Sequence, residues 1–427
     1  MMPVSQRGSE KWPRKRLKFV ATYNDDILPE DTDDFEEINY VEISGVSLTG
    51  GIEETSRIYF HEAPSRARRK VRSGDVLIST VRTYLKAIAA VPQAEANLIA
   101  STGFCVIRPG DEMDSTFLGW VAKSEPFVSE IVARSVGVSY PAINASELAT
   151  LEVPLPSFDT QRRIAKFLNE KTARIDALIA KKQALLDRMG EKRQALITRA
   201  VTKGLNPTAP MKDSGIDWLG EIPAHWKVIR LHFLTSEPLK YGANAPADFD
   251  NPDWPRFVRI SDVDENGQLR PDTFRSQPQE VAEPYMLQEQ DILLARSGAT
   301  VGKSFIYRSS WGSGCFAGYL IRARLLSEVS SEFVYRFLNS SAYWEWVRAN
   351  FIQSTIQNIS AEKYGNLWIA LPSERHEQDQ ISRFLDSACE QIDQQLAKIC
   401  ASLDKLAEYR AALITAAVTG RLKLEAV

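Results

Sequence analysis

The chain has 427 residues, is 44% hydrophobic and 25% charged, and carries a net charge of −3 from 52 basic and 55 acidic side chains. That length supports two or three domains with sizeable cores, and the composition excludes disorder over the whole chain. The near-neutral balance excludes a uniformly basic nucleic-acid coat, so contact with nucleic acid would have to come from local patches.

The opening segment "MMPVSQRGSEKWPRKRLKF" has charges but no apolar stretch, so no secretory leader is expected. No apolar run approaches the roughly 18–20 residues of a membrane span. The expectation is a cytoplasmic chain without a membrane partner. The four cysteines, Cys105, Cys315, Cys389 and Cys400, form no C-x-x-C pair, and with only four scattered histidines they predict no metal site.

Residues 1–157 read as short β-rich runs such as "DVLIST" and "GFCVIRP", broken by Gly, Pro and Asn and mixed with helical stretches, which predicts a mixed α/β domain. Segment 158–205 is different. From Asp159 to Thr202 there is no Pro and a single Gly, and apolar residues recur at helical spacing from Ile164 through Leu168, Ile175 and Leu178 to Leu196. That pattern predicts one amphipathic helix of about 40 residues, about 60 Å long at 1.5 Å per residue. Ser157 or Asp159 would cap its start, and Gly204 and Pro207 lie just past its end. Residues 206–373 return to the mixed pattern, with a helical stretch at 330–351. Residues 374–427 give a second long helix.

The second half repeats the first. "WPRKRLKF" (12–19) matches "WKVIRLHF" (226–233), "YVEISGVSLTGGI" (40–52) matches "FVRISDVDENGQL" (257–269), and "GDVLIST" (74–80) matches "QDILLAR" (290–296). "LEVPLPS" (151–157) pairs with "LWIALPS" (367–373), and "QRRIAKFL" (161–168) with "QDQISRFL" (378–385). All fall in order at an offset of about 214–217 residues, beyond what chance supplies. The fold class expected is therefore α+β. Two mixed α/β domains are separated by two long antiparallel helices, whose apolar stripes bury each other as a coiled coil, with a pseudo-twofold internal repeat.

"RSGATVGKS" (296–304) approaches a phosphate-cradling G-x-x-x-x-G-K-[ST] loop, but 297 is Ser and the first Gly falls at 298, one residue late. Its counterpart "TVRTYLKAI" (80–88) has no Gly. The near match leaves open a nucleotide-binding or hydrolysing protein built on 297–304, whose binding would be lost on Lys303→Ala. Other enzymes find less support. "NPDW" (251–254) fails the amine-holding loop of an amino-methyltransferase at its third position, no [DE]-x-K of a carboxylate nuclease occurs, and no G-x-S-x-G or Cys–His arrangement is visible. No catalytic residue is expected.

Basic residues interleaved with hydroxyl and aromatic groups recur at matching places. The first half carries "SRARRKVR" (65–72), with Arg68, Arg69 and Lys70, and "STVRTYLK" (79–86), with Arg82, Thr83, Tyr84 and Lys86. The second half carries Arg296, Ser297, Thr300 and Lys303. The 79–86 and 296–304 stretches follow the "DVLI" and "DILL" strands, which predicts strand-end loops suited to phosphate and base contacts. These residues are the candidate DNA-binding set. A coiled-coil scaffold carrying two domains for non-DNA ligands is the other reading left open. The first long helix is strongly basic, with 12 Lys/Arg and 4 Asp/Glu between Gln161 and Gly204, against 7 and 8 between Glu374 and Lys423.

"KDSGIDWLGEIPAHWKVIRL" (212–231), "LPSFDTQRRIAKFLNEKTARIDALIAKKQALL" and "KRQALITRAVTKGL" closely resemble the specificity subunit of type I restriction–modification enzymes. The resemblance covers almost the whole chain in the family's order. It implies a target-recognition domain at 1–157, a long helix at 158–205, a second recognition domain at 206–373 and a distal long helix at 374–427. Each recognition domain would read half of an asymmetric bipartite site in double-stranded DNA. The helices would dock two modification (methyltransferase) subunits, through which restriction (motor and nuclease) subunits join. Candidate docking residues are Gln161, Arg162, Phe167 and Ile175, with Gln378, Phe384 and Ile392. S-adenosylmethionine, ATP and Mg are then expected on the partner subunits and no cofactor in this chain.

Overall fold

The computed structural model describes residues 12–264, 267–350 and 358–422. Most of the opening segment, Glu265 and Asn266 of the 257–269 run, and Phe351 at the end of the 330–351 stretch lie outside them. The chain forms two compact units that do not follow chain order. One holds the described residues up to Gln183 and from Cys400 onward; the other is Ala184–Ile399. The expected divisions at 157, 205 and 373 follow the chain, whereas the units divide within the two long helices, Phe158–Lys203 and Arg375–Val418.

In the first unit, Arg14–Arg16 pairs antiparallel with Glu152–Pro154, closing the two ends of the domain together. An antiparallel sheet has the strand order Ala21–Tyr23, Phe104–Pro109, Val76–Ser79, Ile88–Ala90. A second sheet runs Ser56–Tyr59, Glu37–Val41, Leu98–Ser101, Ala67–Lys70, with its two central strands parallel. Helices Ser115–Ala122 and Glu125–Arg134 cover the first sheet. Val76, Ile78 and Ile107 from the sheet, Phe117 and Ile131 from these helices, Ile164 and Leu168 from the first long helix and Ile414 and Val418 from the second share one core.

The second unit repeats the plan. Lys227–Arg230 pairs with Trp368–Leu371, and the antiparallel sheet has the equivalent order Lys240–Tyr241, Leu320–Ala323, Ile292–Ala295, Ser304–Ile306. Arg256–Val258 lies parallel to Gly314–Phe316, the counterpart of the parallel pair above. The core again takes residues from both long helices, Ile197, Ala200 and Val201 from one and Ile381 and Leu385 from the other. The 330–351 stretch is two helices, Ser331–Phe337 and Ser341–Asn350. The break falls at Ser340, whose hydroxyl donates to the Phe337 carbonyl and accepts from the Tyr343 amide, capping the second helix.

The long helices start and stop where their sequences direct. Ser157 Oγ accepts from the Thr160 amide at 3.3 Å and so caps the first one, with Asp159 in its first turn. Gly204, at φ +72°, ends it in the left-handed conformation, against the ring of Trp226.

A buried ion pair stands at the same place in both units. Arg108 makes two bonds to Asp75, at 2.9 and 2.8 Å, and Arg324 two to Asp291, at 2.8 and 2.7 Å. Each carboxylate also accepts a backbone N–H from three residues earlier, Arg72 or Gln288, at 2.8 Å. Hydrogen bonding to Asp75, and to Asp291 in turn, holds the two guanidinium pKa values above their ordinary range. Both carboxylates are almost wholly buried, and removing one partner of such a pair leaves a charge unpaired. Asp291→Ala should lower the unfolding free energy by about 3 kcal/mol in equilibrium denaturation. Arg14→Ala, which breaks the exposed pair with Glu152, should change it by less than about 0.5 kcal/mol. Equal losses would show the buried pair to be dispensable.

Candidate nucleic-acid interface

The strand Val76–Ser79 leads into a tight turn before Ile88–Ala90, and Ile292–Ala295 into its counterpart before Ser304–Ile306. In both turns the chain enters and leaves through left-handed residues. In the second unit these are Gly298, at φ +75°, and Gly302, at φ +87°. In the first they are Arg82, at φ +49°, and Lys86, at φ +52°. A side chain in this conformation costs on the order of 1 kcal/mol, and strained backbone tends to collect at functional sites. The same cross-links tie each turn down. Val81 bridges Ala142 as Ser297 bridges Asn358, and the Ile143 and Ile359 amides donate to the Thr80 and Arg296 carbonyls at 2.9 and 2.8 Å.

The 296–304 stretch is thus a hairpin turn, and a strand follows it where a phosphate loop would open a helix. Gly302 is buried, and a Cβ there would meet Val347 Cγ1 at 2.9 Å and the Trp344 ring at 3.0 Å. Its carbonyl accepts from the Tyr343 hydroxyl at 2.7 Å, and the Ala295 carbonyl from the Tyr364 hydroxyl at 2.7 Å. Burial raises both phenols' pKa values above the ordinary range, so they remain donors. The glycine serves backbone conformation and packing.

Around this turn lies an open groove of about 770 Å³, lined among others by Tyr241, Asn244, Arg296, Ser297, Tyr319, Asn358 and Lys363. The Arg296 guanidinium sits 4.7 Å from the centroid of the Tyr241 ring, and its Nε donates a long bond, 3.4 Å, to Asn358 Oδ1. Lys303 is exposed and Thr300 half-buried on the same turn, but neither lines the groove. Tyr241, Asn358 and Lys363 were missed by sequence reasoning. They arrive from segments far apart in the chain, and no local motif marks them.

In the first unit, Arg82 stacks over the ring of Tyr140 at 4.9 Å. Tyr84 and Leu85 are exposed, as are Val136, Val138 and Tyr140 on the adjoining segment. Thr83 is buried, its hydroxyl bonded to Ser135 Oγ at 2.7 Å, so it supports the turn from beneath and presents nothing outward. Lys86 Nζ lies 3.9 Å from Glu125. The other basic run forms part of the second sheet. Arg68, Arg69 and Lys70 are half-buried there, with Arg68 over the Phe60 ring at 5.0 Å, while flanking Arg66 pairs with Glu42 and Arg72 with Asp26. The two basic runs of the first half thus belong to different sheets.

Of the candidate docking residues, Gln161 and Gln378 turn inward. Gln161 Oε1 accepts from the Asp114 amide at 2.8 Å, and its Nε2 donates to the Glu112 and Pro156 carbonyls at 2.9 and 3.0 Å. Gln378 Oε1 accepts from the Ser330 amide at 2.8 Å, and its Nε2 donates to the Pro372 carbonyl at 3.0 Å. Both amides are fully buried and splice a long helix to its own domain, leaving no face for a partner. Ile175 and Ile392 are also buried. Arg162 and Phe384 are exposed and Phe167 is half-buried.

Residues 10–188 match the family model described as the type I restriction modification DNA specificity domain. A putative type I restriction enzyme MjaX specificity subunit of Methanocaldococcus jannaschii is 25% identical over 171 residues, covering 39% of this chain and 38% of that protein. A solved chain described under complex assembly and conformational transition of the type I R-M system superposes with a TM-score of 0.79, at 23% identity, over 98% of this chain and 100% of the other. The HsdS subunit from Thermoanaerobacter tengcongensis gives 0.55 at 24% identity, over 96% and 97%. The first part of the chain is therefore similar in sequence to type I restriction–modification DNA specificity domains. Over its length the chain has the mixed α+β fold, with two domains and long helices, of these subunits.

The two turns make opposite demands on side chains. Lys86→Gly should raise stability by about 0.5 kcal/mol, because glycine takes the left-handed conformation freely yet is more mobile when unfolded. Gly302→Ala should lower it by more than about 1 kcal/mol, through strain and the contact with Val347. Thermal melts of the two variants check both signs.

Proposed function

We propose that this chain is the DNA-recognition subunit of a type I restriction–modification complex, with each unit reading one half of an asymmetric bipartite site. The observation that carries this reading is the duplicated turn, built on the same frame twice but furnished with different side chains. Arg82, Tyr84 and Lys86 stand on one copy, and Arg296, Ser297 and Lys303 on the other. A common frame with unlike outward groups suits two domains that read different sequences.

The long helices support the rest. Asp176 pairs with Arg410 at 2.8 Å in the first unit, and Arg193 with Asp393 at 3.2 Å in the second. These pairs lie 17 residues apart on each helix but in opposite directions, which supports an antiparallel coiled coil. A helix of 46 residues is about 69 Å long, roughly two turns of B-DNA, a length suited to fixing the spacer of a bipartite site. Arg162, Phe167 and Phe384 remain on the helix surface for two modification subunits, and restriction subunits join through those. The chain itself is non-catalytic in this scheme; methyl transfer with S-adenosylmethionine, and ATP- and Mg-dependent cleavage, belong to the partners.

The test replaces Arg82 and Lys86 together with Ala in the complex assembled with modification subunits. Binding to the preferred site should fall at least tenfold, and the salt dependence of binding should lose about one unit of slope for each phosphate contact removed. Methylated adenines at that site should disappear from the source genome. Unchanged binding and methylation would remove this turn from the interface.

A further inference from the structure

The groove of the second unit holds a side chain arranged for more than charge. The Arg296 guanidinium is stacked on Tyr241 at 4.7 Å and tethered through Nε to Asn358 at 3.4 Å. Tyr241 is fixed in turn, its hydroxyl accepting from the Ala361 amide at 2.9 Å. Among the described residues, the terminal nitrogens of Arg296 have no partner and no carboxylate lines the groove. A phosphate can be held by a lysine acting as a point charge, and such a contact carries no sequence information. Stacking and a tether fix the plane of the fork, which is what bidentate recognition of a base edge requires.

We propose that Arg296 is a base-reading residue of the second unit, its fork directed at the O6 and N7 edge of a guanine, with Tyr241 and Asn358 as its positioning residues. This rests on the DNA-recognition reading above and adds which residue reads and what it reads. Lys303, exposed and untethered on the same turn, serves a phosphate. The repeat makes the arrangement one-sided. At the positions of Arg296 and Asn358 the first unit has Thr80 and Ala142, on the same backbone frame, in which the next residue, Ile143 or Ile359, donates its amide to the Thr80 or Arg296 carbonyl. The guanine read in this way therefore belongs to one half-site only.

The experiment selects duplexes from a randomised library with the full chain and its modification subunits, for the wild type, Arg296→Ala, Arg296→Lys and Lys303→Ala. Arg296→Ala should lose guanine preference at one position of one half-site, by roughly ten- to hundredfold, with the other half-site unchanged. Arg296→Lys keeps the charge but not the fork, and should lose the same preference while overall affinity stays within a few fold. Lys303→Ala should weaken all sequences alike and reduce the salt slope by about one. A wild-type complex that selects a bipartite site which either Arg296 variant leaves intact, or which has no guanine in the affected half, overturns this proposal alone. A wild-type complex with no preferred sequence overturns it together with the recognition reading.

Discussion

The buried bidentate pair between a strand-start aspartate and an arginine on the neighbouring strand is the constraint from which each domain is organised. Asp75 stands at the head of the strand that ends in the Arg82 turn, and Asp291 at the head of the strand that ends in the Arg296 turn. Each carboxylate takes two bonds from its arginine and one from the backbone before it, so its acceptor capacity is satisfied inside the protein. A charge held this way tolerates no slip in register, because one residue of shift would send the carboxylate to the opposite face of the sheet. Only four or five residues separate each pair from its turn, so the turn inherits that fixed position.

The inward glutamines extend the same logic to the helices. Gln161 and Gln378 satisfy the amide that opens a neighbouring helical segment and the carbonyl just before their own helix. A long helix attached by such a splice leaves its domain in a defined direction. The positions that must be unique, the turn and the helix exit, are thus held by buried polar bonds, which specify geometry more sharply than apolar contact does.

Much of this was legible in the sequence because the chain states it twice. The ordered repeat, the helix caps at Ser157 and Gly204, and the strand-end placement of the basic turns all follow from local pattern. Other features left no local mark. Arg82 and Lys86 carry no sign that their backbone is left-handed; only alignment with Gly298 and Gly302 reveals it, and a search for a phosphate loop reads those glycines differently. Gln161 and Gln378 look like surface residues at the start of amphipathic helices, since nothing local announces a buried amide. The groove joins Tyr241, Arg296 and Asn358 across more than a hundred residues, a pairing made by strand order.

The sharing of each long helix between the two compact units has a consequence for how the protein is made. The unit spanning Ala184–Ile399 is continuous, so all of it has been translated before the ribosome reaches Cys400. The other unit draws Ile414, Ala417 and Val418 into a core that begins at Leu17. Its core stays incomplete until Val418 has been made, although most of it is translated before the other unit. The usual amino-terminal-first order of domain folding is therefore inverted, and the earliest residues wait longest for their final contacts.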